Sequence, residues 1–246
     1  MKVLCMRLGN WGGALSMLLL LLVGSVAAAR AETLTLLVME TPGLFVSHPK
    51  TRVVEGRGVA VFTRLGALAG VDVRFEPSVT ARAMREVEQH DNTCVVGLAR
   101  TPEREAHFKW AGLLARSRLV LMARATDQRR WADLQALRGL RIGAIRQSVV
   151  AGRLHAAGLP VEEVASDAIS LRMLMAERID LWATSDLTLR YELARPDAPR
   201  LREALELGVL ESFLACHPQL DEALLARLNA ALAQLVREGQ FSTVKP

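Results

Sequence analysis

The sequence predicts an α/β protein made of two similar lobes, and three observations carry that expectation. Strand-like and helix-like periods interleave along the chain, the alternation restarts after the polar turn Arg146-Gln147-Ser148, and 51% of the 246 residues are hydrophobic, ample to bury cores. Interleaving of this kind argues for parallel sheets covered by helices.

Taken in order, Leu34 to Met39 alternates as a strand, and Val59 to Ala69 sets Val59, Phe62, Leu65 and Leu68 at helical spacing. A strand at Val71 to Phe75, a helix over Thr80 to Gln89 and a strand at Cys94 to Leu98 follow, then a short helix opening at Thr101-Pro102, with Thr as cap and Pro in the first turn. Leu119 to Ala123 reads as a strand, Trp131 to Leu137 as a helix and Arg141 to Ile145 as a strand. The second unit has helices over Val149 to Ala157 and Ala168 to Glu177, with strands at Val161 to Ala165 and Asp180 to Ala183. A helix near Leu187 to Ala194, a Pro-bearing loop from Arg195 to Pro199, a strand from Glu211 to Cys216 and an amphipathic helix from Leu220 to Glu238 complete the chain.

The first 31 residues read as a secretory signal peptide: Lys2 and Arg7 form a basic start, Leu15 to Val23 is apolar apart from Ser16, and Ala29-Arg30-Ala31 is a small-x-small cleavage site. An uncleaved anchor is the rival, because Trp11 to Ala29 carries no charge, but Gly12, Gly13, Ser16, Gly24 and Ser25 dilute that run. Removing the segment lowers the formal charge from +5 to +2, since Lys2, Arg7 and Arg30 leave with it. Without a long Lys/Arg block, a nucleic-acid footprint is not supported. Cys94 and Cys216 remain in an oxidising compartment, as one bridge or as two buried thiols, and neither has a CxxC neighbour.

Asn92 to Arg104, with its Gly97-Leu98-Ala99-Arg100-Thr101-Pro102-Glu103-Arg104 run, is followed by Phe108-Lys109-Trp110-Ala111-Gly112, then by Leu137 to Ala144 and Met175 to Thr184. In order and spacing this resembles family 3 extracellular solute-binding proteins, the polar-amino-acid receptors of ABC transporters. The resemblance implies a type II periplasmic-binding-protein fold: two α/β lobes joined by a two-strand hinge, with the ligand cleft between them. Lobe 1 would be discontinuous, residues 32–115 and 212–246, and lobe 2 would span 116–211. It also implies that the strands holding Cys94 and Cys216 are antiparallel neighbours, where a bridge is geometrically demanding.

The resemblance places Arg104 on the ligand carboxylate, a role that suits a guanidinium beside a helix start. A surface Arg paired with Glu103 or Glu105 is the alternative. The backbone at Gly97 and Ala99 would line the same pocket, with Ala99 standing where the family often has Ser or Thr. Gln147 and Ser148 match a turn that completes the carboxylate site, and Ser148 equally suits an N-cap. The family's ammonium-binding Asp falls at Ser185, with Asp186 one residue further, a departure that weighs against an α-amino-acid ligand; Asp186 also suits a cap for the following helix. The segment after the first strand, from Glu40 to Val46, carries Phe45 as its one ring, and Trp110 would form another wall or pack between the lobes.

No Gly-x-Ser-x-Gly elbow, phosphate loop or metal-ligand spacing occurs, and the five His are scattered. The expectation is a periplasmic, monomeric, non-enzymatic receptor for a small carboxylate-bearing ligand, without cofactor or metal, delivering to ABC-transporter membrane subunits. Two alternatives share the fold: a dehydratase resembling periplasmic cyclohexadienyl dehydratases, with Glu40 or Asp186 as its acid, and a ligand-sensing partner of a membrane protein.

Overall fold

The computed structural model describes residues 32–41 and 43–241, so the expected signal peptide, residues 1–31, lies outside them. The elements are β1 (Thr33–Met39), β2 (Val46–Ser47), β3 (Val54–Glu55), α1 (Arg57–Ala69), β4 (Asp72–Ser78), α2 (Thr80–Gln89), β5 (Thr93–Ala99), β6 (Lys109–Arg124), β7 (Ile142–Ile145), α3 (Val149–Ala156), β8 (Val161–Val164), α4 (Asp167–Met175), β9 (Leu181–Ser185), α5 (Asp186–Leu193), β10 (Leu201–Cys216) and α6 (Glu222–Arg237). Pro102–His107 and Gln135–Leu137 form short 3-10 turns.

Eight strands make one sheet in the order β4-β1-β5-β10-β6-β9-β7-β8. β1 pairs parallel with β4 and β5, and β7 pairs parallel with β8 and β9. Between these two parallel trios lie β10 and β6, antiparallel to each other and to their outer neighbours β5 and β9. Parallel strands need both faces covered, and both trios obey. On the β1–β4–β5 side, one face packs Leu34, Leu36 and Val38 against Phe62 and Leu65 of α1 and Leu228 and Leu232 of α6. The other face sets Leu37, Val95 and Leu98 against Ala83 and Val87 of α2. On the far side, Ile142, Ala144 and Leu181 meet Val150 and Leu154 of α3, while Trp182 packs with Leu171 and Leu174 of α4.

The helices follow from their apolar spacing. α6 buries Leu224, Leu228, Ala231, Leu232 and Leu235 along one stripe, and Asp221 caps it by accepting from the Leu224 amide at 2.8 Å. Propensity alone would not hold a helix of this length in water, so the buried stripe supplies the stability.

Several expectations need correction. β6 and β10 are 16-residue strands, far longer than the segments Leu119 to Ala123 and Glu211 to Cys216. Their central parts are half-buried and interrupted by charged residues and glycine, so hydrophobic alternation is broken there, and the ladder between the two strands carries them. Opposed charges line that ladder: Arg116 pairs with Glu211, and Arg118 reaches Glu206 at 2.9 Å and Glu203 at 3.2 Å. Exposed pairs contribute at most about 1 kcal/mol each, so they fix alignment more than they stabilise. The register shifts between Glu206 and Gly208, where Gly208 takes φ 100°, as a bulge requires. Trp131 to Leu137 is helical only as the 3-10 turn at Gln135–Leu137. Trp131 is instead held under two guanidiniums, Arg129 at 5.3 Å and Arg202 at 5.4 Å. The β2–β3 hairpin was not foreseen, because two-residue strands leave no periodicity to read.

The two cysteines are bridged. Cys94 on β5 and Cys216 on β10 are directly opposed in the antiparallel ladder, fully buried, and close a loop between positions 122 residues apart. Replacing both by Ala should lower unfolding stability by about 2–5 kcal/mol, the range for removing a native bridge. Urea unfolding of the oxidised protein and of the double variant measures this; equal midpoints would show that the bridge contributes nothing.

Candidate functional site

The carboxyl ends of β1, β5, β7 and β9 converge on a cavity of about 380 Å³. Ligands of open α/β sheets bind at such strand ends. Residues reach it from both trios: Met39 and Glu40 after β1 and Gly97 in β5, then Ile145 ending β7 and Thr184 and Ser185 ending β9. The first residues of α1, α3, α4 and α5 also line it, through Gly58, Val149, Asp167 and Leu187 among others. Four helix starts turned to one space place unpaired amides and positive partial charge around it.

One wall is apolar. Phe45 is 6% exposed and lies 6.0 Å from the Phe62 ring and 6.4 Å from the Phe75 ring, centroid to centroid. Gly58 makes its position possible, because a Cβ there would come within 2.4 Å of the Phe45 ring. Glu40 stands at the rim, where its Oε1 accepts from the Ser47 hydroxyl and from the Ser47 amide at 3.3 Å. Ser148 and Ser185 line the cavity as N-caps: Ser148 Oγ accepts from the Ala151 amide at 3.2 Å and Ser185 Oγ from the Thr188 amide at 3.1 Å.

Of the ten residues singled out from sequence, Glu40, Phe45, Gly97, Ser148 and Ser185 line the cavity, and Ala99, Arg104, Trp110, Gln147 and Asp186 do not. Arg104 bridges two of these outlying residues, donating from Nη1 to the Ala99 carbonyl at 3.1 Å and from Nη2 to the Gln147 carbonyl at 2.8 Å. It thus joins the end of β5 to the turn before α3, one residue from Ser148. Burial lowers its pKa, and nearby Glu103 offsets this in part. Gln147 takes φ 57°, an unusual conformation for its residue type. Trp110 packs edge-on to Phe108 and Phe213 with Arg100 over its ring, and its Nε1 donates to the Glu105 carbonyl at 3.3 Å. Asp186 opens α5 and accepts from the Arg118 amide at 3.0 Å, tying that helix to β6.

Among the lining residues that the sequence reading did not single out are Asp167, Thr184 and Glu192. Asp167 begins α4, where an acidic residue reads as a dipole partner and nothing more. Its Oδ1 accepts from Trp182 Nε1 at 2.9 Å. Burial pushes the Asp167 carboxyl up to about 6, against the Trp182 indole and the nearby Thr184 hydroxyl, and the charge of Glu192 adds to the rise. Thr184 is 4% exposed, and its hydroxyl makes no hydrogen bond of ordinary length. Glu192 is 3% exposed, with Arg195 at 3.4 Å from one oxygen. No sequence signal marks Thr184 or Glu192 beyond their place near a strand end and on the following helix.

No family model matches the chain, and no curated protein matches it. Solved structures do. A histidine kinase sensor domain with similarity to periplasmic binding proteins superposes with a TM-score of 0.75 at 19% identity, covering 86% of this chain and 93% of that one. The arginine-bound form of truncated ArgBP from T. maritima gives 0.71 at 16% identity, over 82% of this chain and 96% of that one. The GluR0 ligand-binding core from Nostoc punctiforme in complex with L-glutamate gives 0.71 at 16% identity, over 84% and 94%. These neighbours are ligand-binding proteins or domains, and at such identities the likeness establishes the fold. The fold is therefore that of type II periplasmic-binding proteins, two α/β lobes joined by a two-strand hinge with a cleft between them.

The raised Asp167 pKa has a consequence for stability. An unfolded Asp titrates near 3.9, so between about pH 4 and 6 the folded chain holds a proton that the unfolded chain has released, and folding weakens as pH rises. Relative to Asp167→Asn, the wild type should lose about 1–3 kcal/mol of stability between pH 4 and 7. Urea titrations at pH 4, 5, 6 and 7 measure the difference; a constant gap would mean that Asp167 titrates normally.

Proposed function

We propose that this protein is an exported solute-binding protein that captures a small carboxylate-bearing ligand, an amino acid or related organic acid, and closes on it about the β6–β10 hinge. The observation that carries the reading is the cavity of about 380 Å³ at the strand ends, lined from both parallel trios and ringed by helix starts. Its walls mix an apolar face with placed hydroxyls and charges, the usual make-up of a small-molecule site. The lobes are assigned to residues 32–115 with 212–246, and to 116–211. Closure is a population shift stabilised by contacts to both lobes, as in hinge-bending receptors.

In this reading Arg104 receives the carboxylate. Its guanidinium is committed to two carbonyls, one in each of the assigned lobes, and a carboxylate would accept the same two donations with full charge. Arg104 then serves ligand grip and closure together. Delivery to ABC-transporter membrane subunits is the assigned destination. The likeness to a histidine kinase sensor domain favours one second reading, a ligand sensor acting on a membrane partner. Uptake of the ligand by cells lacking the protein separates the two: transport is lost in the first case and retained in the second. No catalytic role is assigned, and Asp186, one of the acids considered for a dehydratase, is engaged by the Arg118 amide.

Thermal unfolding of the purified protein against amino acids, dicarboxylates and other organic acids tests the reading. A ligand at about 1,000 times its dissociation constant should stabilise by roughly 4 kcal/mol. Arg104→Ala should weaken binding by at least about tenfold with the fold intact, since a hydrogen bond to a charged group contributes roughly 1.5–3 kcal/mol. Unchanged affinity in that variant would remove Arg104 from the site.

A further inference from the structure

We infer that Tyr191 is a latch between the two lobes: its ring, carried on α5, docks on the bare backbone of Gly43 across the cleft, and this contact favours the closed arrangement independently of ligand chemistry. The inference rests on the hinge-closure reading and the lobe boundaries proposed above, and adds the residue pair that sets how readily the cleft shuts.

Both partners are carried on firmly held elements. Leu187, Thr188 and Tyr191 line the cavity at positions i, i+1 and i+4, so one face of α5 is turned towards it. The start of that helix is fixed twice, by the Ser185 cap and by Asp186, which accepts from the Arg118 amide of β6 at 3.0 Å. On the other lobe, Thr41 and Phe45 close the turn after β1, the amide of each donating to the carbonyl of the other at 2.9 Å. The Leu44 carbonyl in that turn accepts from the Gly58 amide at 2.9 Å, and the buried Phe45 ring lies over Gly58. Each partner therefore moves with its own lobe.

The approach between them is close. A Cβ at Gly43 would lie 2.8 Å from Tyr191 Cδ1 and 2.9 Å from Cε1, nearer than a side chain tolerates, so the ring rests on the glycine backbone itself. Gly43 also holds φ 76°, so conformation and contact separately demand glycine at this position. Gly43 is exposed whereas Thr41, Leu44 and Tyr191 line the cavity, which puts the contact at the cavity's edge.

The Arg104 hydrogen bond to the Gln147 carbonyl also ties one lobe to the other. A ligand carboxylate on Arg104 would take over that donation, so this tie is exchanged when the site fills. The Tyr191–Gly43 contact is apolar and offers a carboxylate nothing to take over. Whatever it adds to closure raises the affinity of any ligand that prefers the closed form, without a bond to that ligand.

Tyr191 is the single tyrosine of the chain, so 3-fluorotyrosine labelling of the whole exported protein places one fluorine-19 resonance on the latch. With no ligand added, the wild-type resonance should be displaced from that of the urea-unfolded chain, and Gly43→Ala should move it towards the unfolded position. Gly43→Ala also strains its turn, so Tyr191→Ala, which removes the ring and leaves the turn as it is, forms a second arm. Small-angle X-ray scattering should give both alanine variants a larger radius of gyration than the wild type. Their closed-to-open ratio should fall by about fivefold or more, the order expected for losing the burial of one ring face. Tyr191→Phe keeps the ring and should match the wild type, and circular dichroism verifies that all variants are folded. Equal radii of gyration throughout, or a wild-type resonance at the unfolded position, would overturn the latch and leave the ligand-binding reading in place. A displaced resonance with expansion of both alanine variants, alongside silence of the amino-acid and organic-acid panel, would uphold the latch and overturn the ligand-binding reading.

Discussion

Everything in this molecule is organised by the antiparallel pairing of β6 with β10. These are the longest strands, they lie at the centre of the sheet order, and each carries one parallel trio on its outer side. The two trios meet through them, which brings the carboxyl ends of β1 and β5 to face those of β7 and β9 across one cavity. The bridge between Cys94 and Cys216 fastens β5 to the end of β10, so one trio is bound covalently to the central pair. Along the pair, the Arg118 cluster fixes the alignment of the ladder, and the register shifts near Gly208 without breaking it.

The site obtains its polarity from helix starts and its shape from close packing. α3 and α5 begin with capped serines at the cavity wall, α4 begins with Asp167, and α1 begins beside Gly58, over which the Phe45 ring lies. Helix starts favour anions. Arg104 lies at the junction of these features, spanning from the end of β5 to the turn that opens α3.

Burial is what makes the inner end chemically distinct. Asp167 would be an ordinary helix-start acid at a surface; under Trp182 and near Glu192 its carboxyl is pushed up to about 6. The same enclosure sets the Thr184 hydroxyl beside that carboxyl. Such groups are costly in a folded protein.

The sequence by itself determined the α/β class, nearly every helix, the order of the elements, and five of the residues that line the cavity. Those features are local: a helix shows as apolar spacing, a cap as Ser before a helix, and a pocket turn as a polar break after a strand. Trp131 escaped this logic because Arg202 of distant β10 joins the neighbouring Arg129 in holding its ring in a loop. Only tertiary structure decided the full length of β6 and β10, because their polar stretches are strands through pairing with each other rather than through a buried alternating face. It also decided the Cys94–Cys216 bridge, which depends on register across 122 residues. The association of Asp167, Thr184 and Glu192 belongs to the same class, since a carboxylate's charge state is set by what surrounds it in space.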